Sequence, residues 1–283
     1  MINIDIVDNT IKIKNCDINL DKTFNSGQCF RWNKYNNRWI GVVGNKIYTL
    51  EQDNYTAVSA KVYVNDTQGL NIDNLVHDLI VYLDLETDYS ELKESLHDDY
   101  AIKAYNFSKG IKILNQDIWE TIISFIISQR NNIPKIKSTI EKLCIYFGDK
   151  LIDNGRNKIY TFPSADILAR ASLDEISKTG CGYRTEYIKD LAVNVSNGSI
   201  DIKELITLDT DLLLNKLQSI YGIGPKVANC ISLYGLHRLE AFPIDVWMQR
   251  IIDREYNGNI NIASYGKFAG VMQQYMFYYE RRS

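Results

Sequence analysis

The chain has 283 residues, of which 45% are hydrophobic and 11% aromatic, and its formal net charge is −3. This length suits about two domains, and this composition is that of a packed globular protein, which excludes intrinsic disorder. No apolar run approaches the roughly 18 residues of a membrane span, and the first ten residues contain no basic residue, so we expect a cytoplasmic protein.

The spacing of cysteine and histidine argues against the common metal sites. No two cysteines form a C-x-x-C pair, and no two histidines have a helical spacing that would bring both to one ion. We therefore predict no disulfide framework, no metal or iron–sulfur cluster and no cofactor. The residues concerned are Cys16, Cys29, Cys144, Cys181, Cys230, His77, His97 and His237.

Charge is divided unevenly along the chain. Residues 71–100 hold nine acidic residues and one lysine, whereas residues 101–283 hold 23 basic residues against 19 acidic ones. We interpret the acidic segment as a solvated helix face that points away from any anionic partner. The low overall charge therefore does not exclude nucleic-acid binding by the rest of the chain.

Five segments in the first 70 residues have the composition of β-strands, with β-branched and aromatic residues mostly in alternation. Their sequences are NIDIV, TIKIKN, RWIGVVG, KIYTLEQ and AVSAKVYVN. From about residue 72 the apolar residues recur with the period of helices. We predict an α+β protein with an N-terminal antiparallel β domain over residues 1–90 and a helical domain over residues 91–283.

Three helix starts in the second domain carry explicit signals. Asp117 with Glu120 and Ser172 with Glu175 have the spacing of capping boxes, and Pro134 suits the first turn of a helix. We expect these helices to be scaffold.

The segment LLLNKLQSIYGIGPKVANCISLYG, residues 212–235, predicts a helix-hairpin-helix. Gly222 and Gly224 would let the backbone approach a ligand closely, and Pro225 precedes a helix that starts at Lys226. The exposed N–H groups at such a helix start favour an anion such as a DNA phosphate. A plain corner between two helices is the alternative, but it needs neither the second glycine nor the proline.

Asp245 lies 19 residues after Lys226, immediately before the helical segment VWMQRIIDREY. One helix and one loop fit between the two residues, so an amine and a carboxylate could face one substrate. Each residue also has a simpler interpretation, Asp245 as an ordinary helix N-cap and Lys226 as a solvated phosphate contact.

The hairpin block followed by FPIDVW resembles the helix-hairpin-helix GPD superfamily of DNA base-excision enzymes, and the lysine-bearing form is similar to the 8-oxoguanine DNA glycosylase/AP lyase family. The resemblance extends over nearly the whole chain through the blocks NSGQCFRW, LNQDIWETIISFIISQRNNI, CGYRTEYI and GVMQQYMF. It implies a β domain like that of TATA-binding protein, a two-lobed helical core, and duplex DNA containing 8-oxoguanine as the partner.

The resemblance also implies the chemistry. Lys226 would attack C1′ of the damaged nucleotide, expel the base and form a Schiff base from which β-elimination cuts the strand. A lysine amine is nucleophilic only when neutral, and burial and a helix N-terminus both favour the neutral form. Asp245, ionised at its own helix start, would stabilise the positive charge that develops on the sugar and hold Lys226 in place.

Four residues match the family's base-binding positions. The carbonyl of Gly27 would accept a hydrogen bond from N7–H of the lesion, a donor that normal guanine lacks. By resemblance, Cys230 and Phe277 would pack on the two faces of the base and Gln273 would contact its Watson–Crick edge. Without the resemblance, Gly27 is interpreted as a turn residue, Cys230 and Phe277 as core residues, and Gln273 as a surface residue.

Two residues match positions that fill the gap left by a flipped base. Tyr183 corresponds to the family's wedge and Arg184 to the residue that reaches the orphaned cytosine. A turn tyrosine and a surface arginine are the alternatives.

The chain departs from the family at the strand opposite the lesion. Eukaryotic members carry three asparagines and then an arginine in the N-N-N-I-x-R block. In this chain Arg130 takes the place of the first asparagine, Asn131 keeps the second, and Lys135 takes the place of the arginine. Trp247 stands where those members have a histidine that contacts phosphate. A strict preference for cytosine opposite the lesion is therefore not expected.

Three alternative functions fit the sequence less well. An alkylated-base glycosylase shares this fold but works with the aspartate alone, which leaves Lys226 unexplained, whereas an endonuclease III-like enzyme would need four clustered cysteines. A non-catalytic DNA-binding module would explain the hairpin alone. We expect a monomer, associated with the nucleoid through its function.

Overall fold

The N-terminal part of the chain forms a six-stranded antiparallel sheet, in a computed structural model that describes residues 2–7, 10–54, 56–64, 71–153 and 158–282. The strands are β1 (Asn3–Val7), β2 (Thr10–Lys14), β3 (Trp32–Tyr35), β4 (Arg38–Val43), β5 (Lys46–Asn54) and β6 (Ala57–Val64). Their order across the sheet is β1-β2-β6-β5-β4-β3. The five predicted strands are confirmed to within two residues, except that Asn65 lies outside the described residues.

Two elements of this region were not predicted, α1 (Leu20–Asn25) and β3. The helix has six residues, too few to show a helical period. In β3 only Trp32 is buried, so the strand lacks the alternation of a half-buried strand. β3 lies at the edge of the sheet and has a paired neighbour on one side only.

The core of the sheet lies under the next helix, α2 (Ile72–Tyr82). Leu50 is fully buried and pairs with Trp39 on β4 and Ala60 on β6, so one face of three strands points inward. Leu79 of α2 packs into the same apolar cluster. The helical pattern predicted from residue 72 is therefore confirmed, and its first helix covers the sheet.

The remaining helices form a second core. They are α3 (Asp99–Ser108), α4 (Ile118–Ser128), α5 (Ile133–Phe147), α6 (Ala165–Arg170), α7 (Leu173–Ser177), α8 (Arg184–Ser196), α9 (Ile202–Thr207), α10 (Thr210–Gln218), α11 (Pro225–Gly235), α12 (Val246–Glu255) and α13 (Ala269–Arg282), with 3₁₀ segments at Ser90–Ser95 and Ile262–Phe268. The α+β fold class is confirmed. Among the described residues no helix is both long and apolar enough to cross a membrane.

The helical part also contains a short hairpin, β7 (Lys150–Asp153) and β8 (Lys158–Tyr160), which was not predicted. Leu151 of this hairpin packs against Val42 and Ile47 of the sheet. The two parts of the chain interpenetrate elsewhere as well, because Leu114 belongs to the sheet's core and Phe30 to the helical core. The boundary between residues 90 and 91 stays a prediction.

The capping box predicted at α7 is present. At α4 only one of the two hydrogen bonds of the predicted box is present. Ser172 and Glu175 exchange both hydrogen bonds of a capping box. Asp117 accepts a hydrogen bond from the N–H of Glu120 at 2.8 Å, but the Glu120 carboxylate pairs with the buried guanidinium of Arg31 at 3.4 Å. The box predicted there was wrong, because a buried cation competes for the carboxylate.

Candidate active site

The predicted hairpin joins α10 to α11 through residues 219–224. Gly222 has φ +85°, and a Cβ at this position would lie 2.4 Å from the ring of Tyr187, so only glycine fits the turn. Gly224 is the N-cap of α11 and is exposed. The helix begins at Pro225, one residue earlier than predicted, which leaves Lys226 in its first turn.

The side chain of Lys226 is half-buried and lies over two stacked aromatic rings. Its Nζ lies 5.3 Å from the ring centroid of Phe125, and that ring stacks on Tyr234 with centroids 5.3 Å apart. Lys226 also lies close to the thiol of Cys230, which follows it by one helical turn. Neither ring was predicted, although Tyr234 could have been found because residues 226, 230 and 234 share one face of α11.

Asp245 is the N-cap of α12, as predicted. Its Oδ1 accepts hydrogen bonds from the N–H groups of Trp247 at 3.0 Å and Met248 at 2.9 Å. Its side chain also lines the same cavity as Lys226. The capping interpretation and the catalytic one are therefore compatible, because the helix start that needs a cap lies at the cavity wall.

This cavity has a volume of about 40 Å³ and lies between the hairpin helix α11, the start of α12, the helix α13 and the turn at Gly27. All six residues predicted for catalysis and base binding line it. Its lining residues are Ser26, Gly27, Phe125, Lys226, Cys230, Tyr234, Pro243, Asp245, Gln273 and Phe277.

Two polar groups of the cavity wall are shielded from water. Burial raises the pKa of the Cys230 thiol, an effect that the nearby Lys226 opposes. Gln273 is 3% exposed, so the surface interpretation of this residue was wrong. Its Oε1 has no hydrogen-bond partner among the described residues, and an unpaired buried acceptor costs about 1–3 kcal/mol. A ligand with an N–H group in the cavity would remove that cost.

The turn at Gly27 is held by buried side chains on both sides. Gly27 has φ +85°, which favours glycine. Gln274 donates from Nε2 to the carbonyl of Ser26 at 2.8 Å and accepts from the hydroxyl of Tyr234. On the other side, Gln28 accepts from the N–H of Leu114 at 2.8 Å. The turn is thereby fixed to both α11 and α13, which position Lys226 and Gln273.

The two predicted wedge residues lie outside the cavity, at the start of α8. Tyr183 is 52% exposed, and its hydroxyl donates to the carbonyl of Gln129 at 3.4 Å. Arg184 is only 7% exposed and donates to the carbonyls of Gln129 and of Cys181. The surface alternative for Arg184 was therefore wrong, and contact with an orphaned base would require the guanidinium to leave these carbonyls.

The residues predicted for the opposite strand also lie outside the cavity. Arg130 is exposed with φ +48°, and Lys135 is exposed on α5. Asn131 donates from Nδ2 to the carbonyl of Ile127 at 3.1 Å and so closes the end of α4. Trp247 is partly exposed at the start of α12, with the guanidinium of Arg250 5.1 Å from its ring.

Side chains that commonly bind metals are not clustered in the described part of the chain. No group of three or more His, Cys, Asp or Glu side chains there is arranged to hold an ion. All five cysteines are free and buried. The side chains that line the cavity supply an amine, a carboxylate, an amide and aromatic groups.

Comparisons with known proteins identify relatives over nearly the whole chain. Residues 10–122 match the family model described as 8-oxoguanine DNA glycosylase, N-terminal domain, and residues 123–265 match the HhH-GPD superfamily base excision DNA repair protein. An N-glycosylase/DNA lyase of Saccharomyces cerevisiae is 31% identical over 274 residues, covering 89% of this chain and 72% of the yeast protein.

Two further relatives agree with these matches. A probable N-glycosylase/DNA lyase of Methanothermobacter thermautotrophicus is 31% identical over 229 residues, covering 71% of this chain and 73% of that protein. Among solved structures, the 8-oxoguanine glycosylase/lyase of Clostridium acetobutylicum, in complex with double-stranded DNA containing cytosine opposite 8-oxoguanine, superposes with a TM-score of 0.87. It is 30% identical, and the match covers 99% of this chain and 97% of that one.

Proposed function

Because the chain belongs to the 8-oxoguanine DNA glycosylase family of the HhH-GPD superfamily, we propose that it excises 8-oxoguanine from duplex DNA and then cleaves the strand as an AP lyase. The observation that supports this best is the shared cavity, in which Lys226 and Asp245 face Gly27 and Gln273. A nucleophile, an anion and two base-reading groups are thus within reach of one nucleotide.

In the first step, the neutral amine of Lys226 attacks C1′ of the flipped nucleotide. The bond from C1′ to the base breaks, the base leaves with the electron pair, and it takes a proton that the amine releases. The positive charge on the sugar develops beside the carboxylate of Asp245, which stabilises it. The Asp245 carboxylate needs little reorganisation, because the N–H groups at the start of α12 already hold its Oδ1.

Strand cleavage follows from the same covalent bond. The C1′–O4′ bond opens to give a Schiff base between Lys226 and the sugar, with the second amine proton passing to O4′. Loss of a proton from C2′ then breaks the bond from C3′ to its phosphate oxygen, which departs with the electron pair. The lysine thus serves both as nucleophile and as electron sink, which an enzyme with the aspartate alone lacks.

Base discrimination would come from two fixed groups in the cavity wall. In 8-oxoguanine N7 is a donor, and the carbonyl of Gly27 would accept from it, whereas in guanine N7 is an acceptor and would face that carbonyl unpaired. The unpaired Oε1 of Gln273 would accept from an N–H on the Watson–Crick edge. Gln273 is buried and Gly27 is half-buried, so a base that fails to pair with them is disfavoured.

A purine does not fit the cavity as it stands. A volume of about 40 Å³ holds no more than a few water molecules. Of the two residues proposed to pack on the base, Phe277 is half-buried and Cys230 is buried. We therefore expect Phe277 to turn outward on base entry and then stack on the base.

Duplex DNA is the proposed partner, bound by a monomer in the cytoplasm and associated with the nucleoid. Tyr183 would fill the gap left by the flipped base, and the turn with Gly222 and Gly224 would bind backbone phosphate. Arg130, Asn131, Arg184 and Lys135 would face the opposite strand, and Trp247 would lie by the lesion strand. Binding should weaken as salt concentration rises.

Borohydride trapping tests this function directly. Duplexes with one 8-oxoguanine opposite each of the four normal bases would be incubated with wild type and with Lys226→Gln. We expect a covalent adduct with wild type only, and a variant that still binds the lesion duplex. Free base without an adduct would favour the aspartate-only, alkylated-base type of enzyme, and neither product would favour a non-catalytic DNA-binding module.

A further inference from the structure

Arg281, in the last turn of α13, lies at the rim of the base cavity. It follows Phe277 by four residues, and its guanidinium is 5.3 Å from the centre of that ring. A Cβ built on Gly27 would lie 3.8 Å from one of its guanidinium nitrogens. Arg281 therefore lies beside both the ring and the glycine that form one wall, but it is outside the cavity lining and open to solvent.

The guanidinium of Arg281 is a partly desolvated cation. Its pKa is lowered, mainly because partial burial removes water from it and secondly because Arg282 is close, while Asp245 opposes the shift. The residue itself is exposed, so the shielding is confined to one side of the guanidinium.

No carboxylate pairs with Arg281 among the residues that the structure describes. Arg254 and Arg31, by contrast, each pair with a carboxylate, that of Glu280 and that of Glu120. An unpaired guanidinium beside an active site suits an anion, and its planar fork matches the oxygen spacing of a phosphate.

The covalent chemistry fixes where phosphate would lie. With the base between Cys230 and Phe277 and C1′ beside Lys226, the sugar occupies the cavity mouth and its phosphates lie just outside. We propose that Arg281, beside the ring of Phe277, binds a phosphate of the flipped nucleotide. This inference rests on the proposed function, because only a flipped nucleotide places phosphate there.

The contact would therefore favour the flipped state over the stacked one. Arg281 would add one phosphate contact to lesion DNA that undamaged DNA does not make. It would also link that contact to Phe277, the ring that we expect to turn and cover the base. Arg281 is a positioning residue in this scheme and takes no part in the bond-breaking steps.

The test is the salt dependence of binding to a duplex containing a stable abasic analogue, beside an undamaged duplex of the same sequence. Arg281→Gln keeps a planar polar group and removes the charge, and Arg281→Lys keeps the charge. Arg282→Gln is the matched control, because it removes the same charge from the neighbouring residue, which lies nearer Tyr278.

We expect Arg281→Gln to lower the slope of log affinity against log salt by about 1 on the abasic duplex and to weaken binding roughly tenfold. Arg281→Lys and Arg282→Gln should keep the wild-type slope, and undamaged DNA should show no difference. An unchanged slope for Arg281→Gln, or an equal loss for Arg282→Gln, would overturn the proposal. Excision of 8-oxoguanine by wild type is measured separately, so failure of the proposed function is distinguishable.

Discussion

The side chain of Gln129 donates a hydrogen bond from Nε2 to the backbone carbonyl of Gly222, at 2.9 Å. The backbone carbonyl of Gln129 accepts from the hydroxyl of Tyr183 and from the guanidinium of Arg184. One residue at the end of α4 thus connects the hairpin turn to the wedge turn. Gln129 therefore fixes the position of the hairpin turn, proposed to bind phosphate, relative to Tyr183, proposed to fill the gap left by the flipped base.

Replacing Gln129 with methionine should loosen this connection. Methionine keeps the length of the side chain but donates no hydrogen bond to Gly222, so we expect a loss of about 0.5–1.5 kcal/mol in the free energy of unfolding. We also expect weaker binding to duplex DNA, because the hairpin turn becomes less well fixed. Denaturant unfolding and DNA titration measure the two effects.

Gln218→Met is the control for this change. Gln218 is exposed and, among the described residues, bonds only to the carbonyl of Leu214 within α10. If Gln129→Met binds DNA no more weakly than Gln218→Met does, the connection has no role in binding.

Gly27→Ala should separate base excision from strand cleavage. The position has φ +85°, where alanine costs about 1–2 kcal/mol, and its Cβ would lie 3.4 Å from the ring of Phe277. Excision of 8-oxoguanine should therefore fall, whereas cleavage at a preformed abasic site, which needs no base pocket, should persist. Single-turnover assays on the two substrates measure this.

The control is Gly44→Ala, in the turn between β4 and β5. Gly44 has φ +59° and no atom within 4 Å of a built Cβ, so the change introduces backbone strain far from the cavity. Equal loss of both activities in Gly27→Ala would show that the turn supports the fold rather than base recognition.

The parts of the site that the sequence predicted are those encoded locally. Gly222, Gly224 and Asp245 act through turn conformation and helix capping, which depend on residues next to them in the chain. The sheet was likewise predictable, because its strands are rich in β-branched and aromatic residues and are separated by Asn, Asp and Gly turns. The pairing of Lys226 with Asp245 followed from their spacing and from the family resemblance together.

The parts that were missed depend on contacts between distant residues. Glu120 pairs with Arg31 across 89 positions of the chain, and Gln129 reaches Gly222 across 93. No local pattern marks a glutamate or glutamine for such a contact. Arg281 was missed for the same reason, since its place beside Gly27 exists only once the C-terminal helix has packed against the N-terminal turn.

Asp245→Asn should reduce excision without reducing stability. Asparagine caps a helix about as well as aspartate, so the hydrogen bonds to Trp247 and Met248 can be kept and the free energy of unfolding should change by less than about 0.5 kcal/mol. The charge that stabilises the sugar is lost, and we expect the rate to fall about 100-fold or more. Single-turnover excision and denaturant unfolding provide the comparison.

Asp209→Asn is the matched control, because Asp209 caps α10 through the N–H of Leu212 and does not line the cavity. It should leave both excision and stability near wild type. If Asp245→Asn excised 8-oxoguanine at the wild-type rate, Asp245 would have no catalytic role and would serve only as the N-cap of α12.

Arg254 and Glu280 join the two helices that carry the site, and this contact should make stability depend on pH. Arg254 of α12 donates to both carboxylate oxygens of Glu280 on α13, at 2.8 and 2.7 Å. These bonds, chiefly, lower the pKa of Glu280 below 4.5, its value in the unfolded chain. A carboxyl with a lowered folded-state pKa stabilises the fold above its unfolded pKa and loses that contribution as pH falls through the folded value.

We therefore expect Glu280→Gln to be less stable than wild type by about 0.5–1 kcal/mol near neutral pH, a modest value because Arg254 is half exposed. The difference should shrink as the pH falls below about 4.5 and vanish once Glu280 is protonated in the wild-type fold. Urea unfolding at a series of pH values measures it. If the stability difference between wild type and Glu280→Gln stayed constant with pH, the effect of the substitution would come from packing. The ion pair would then contribute nothing, and apolar contacts alone would hold α12 against α13.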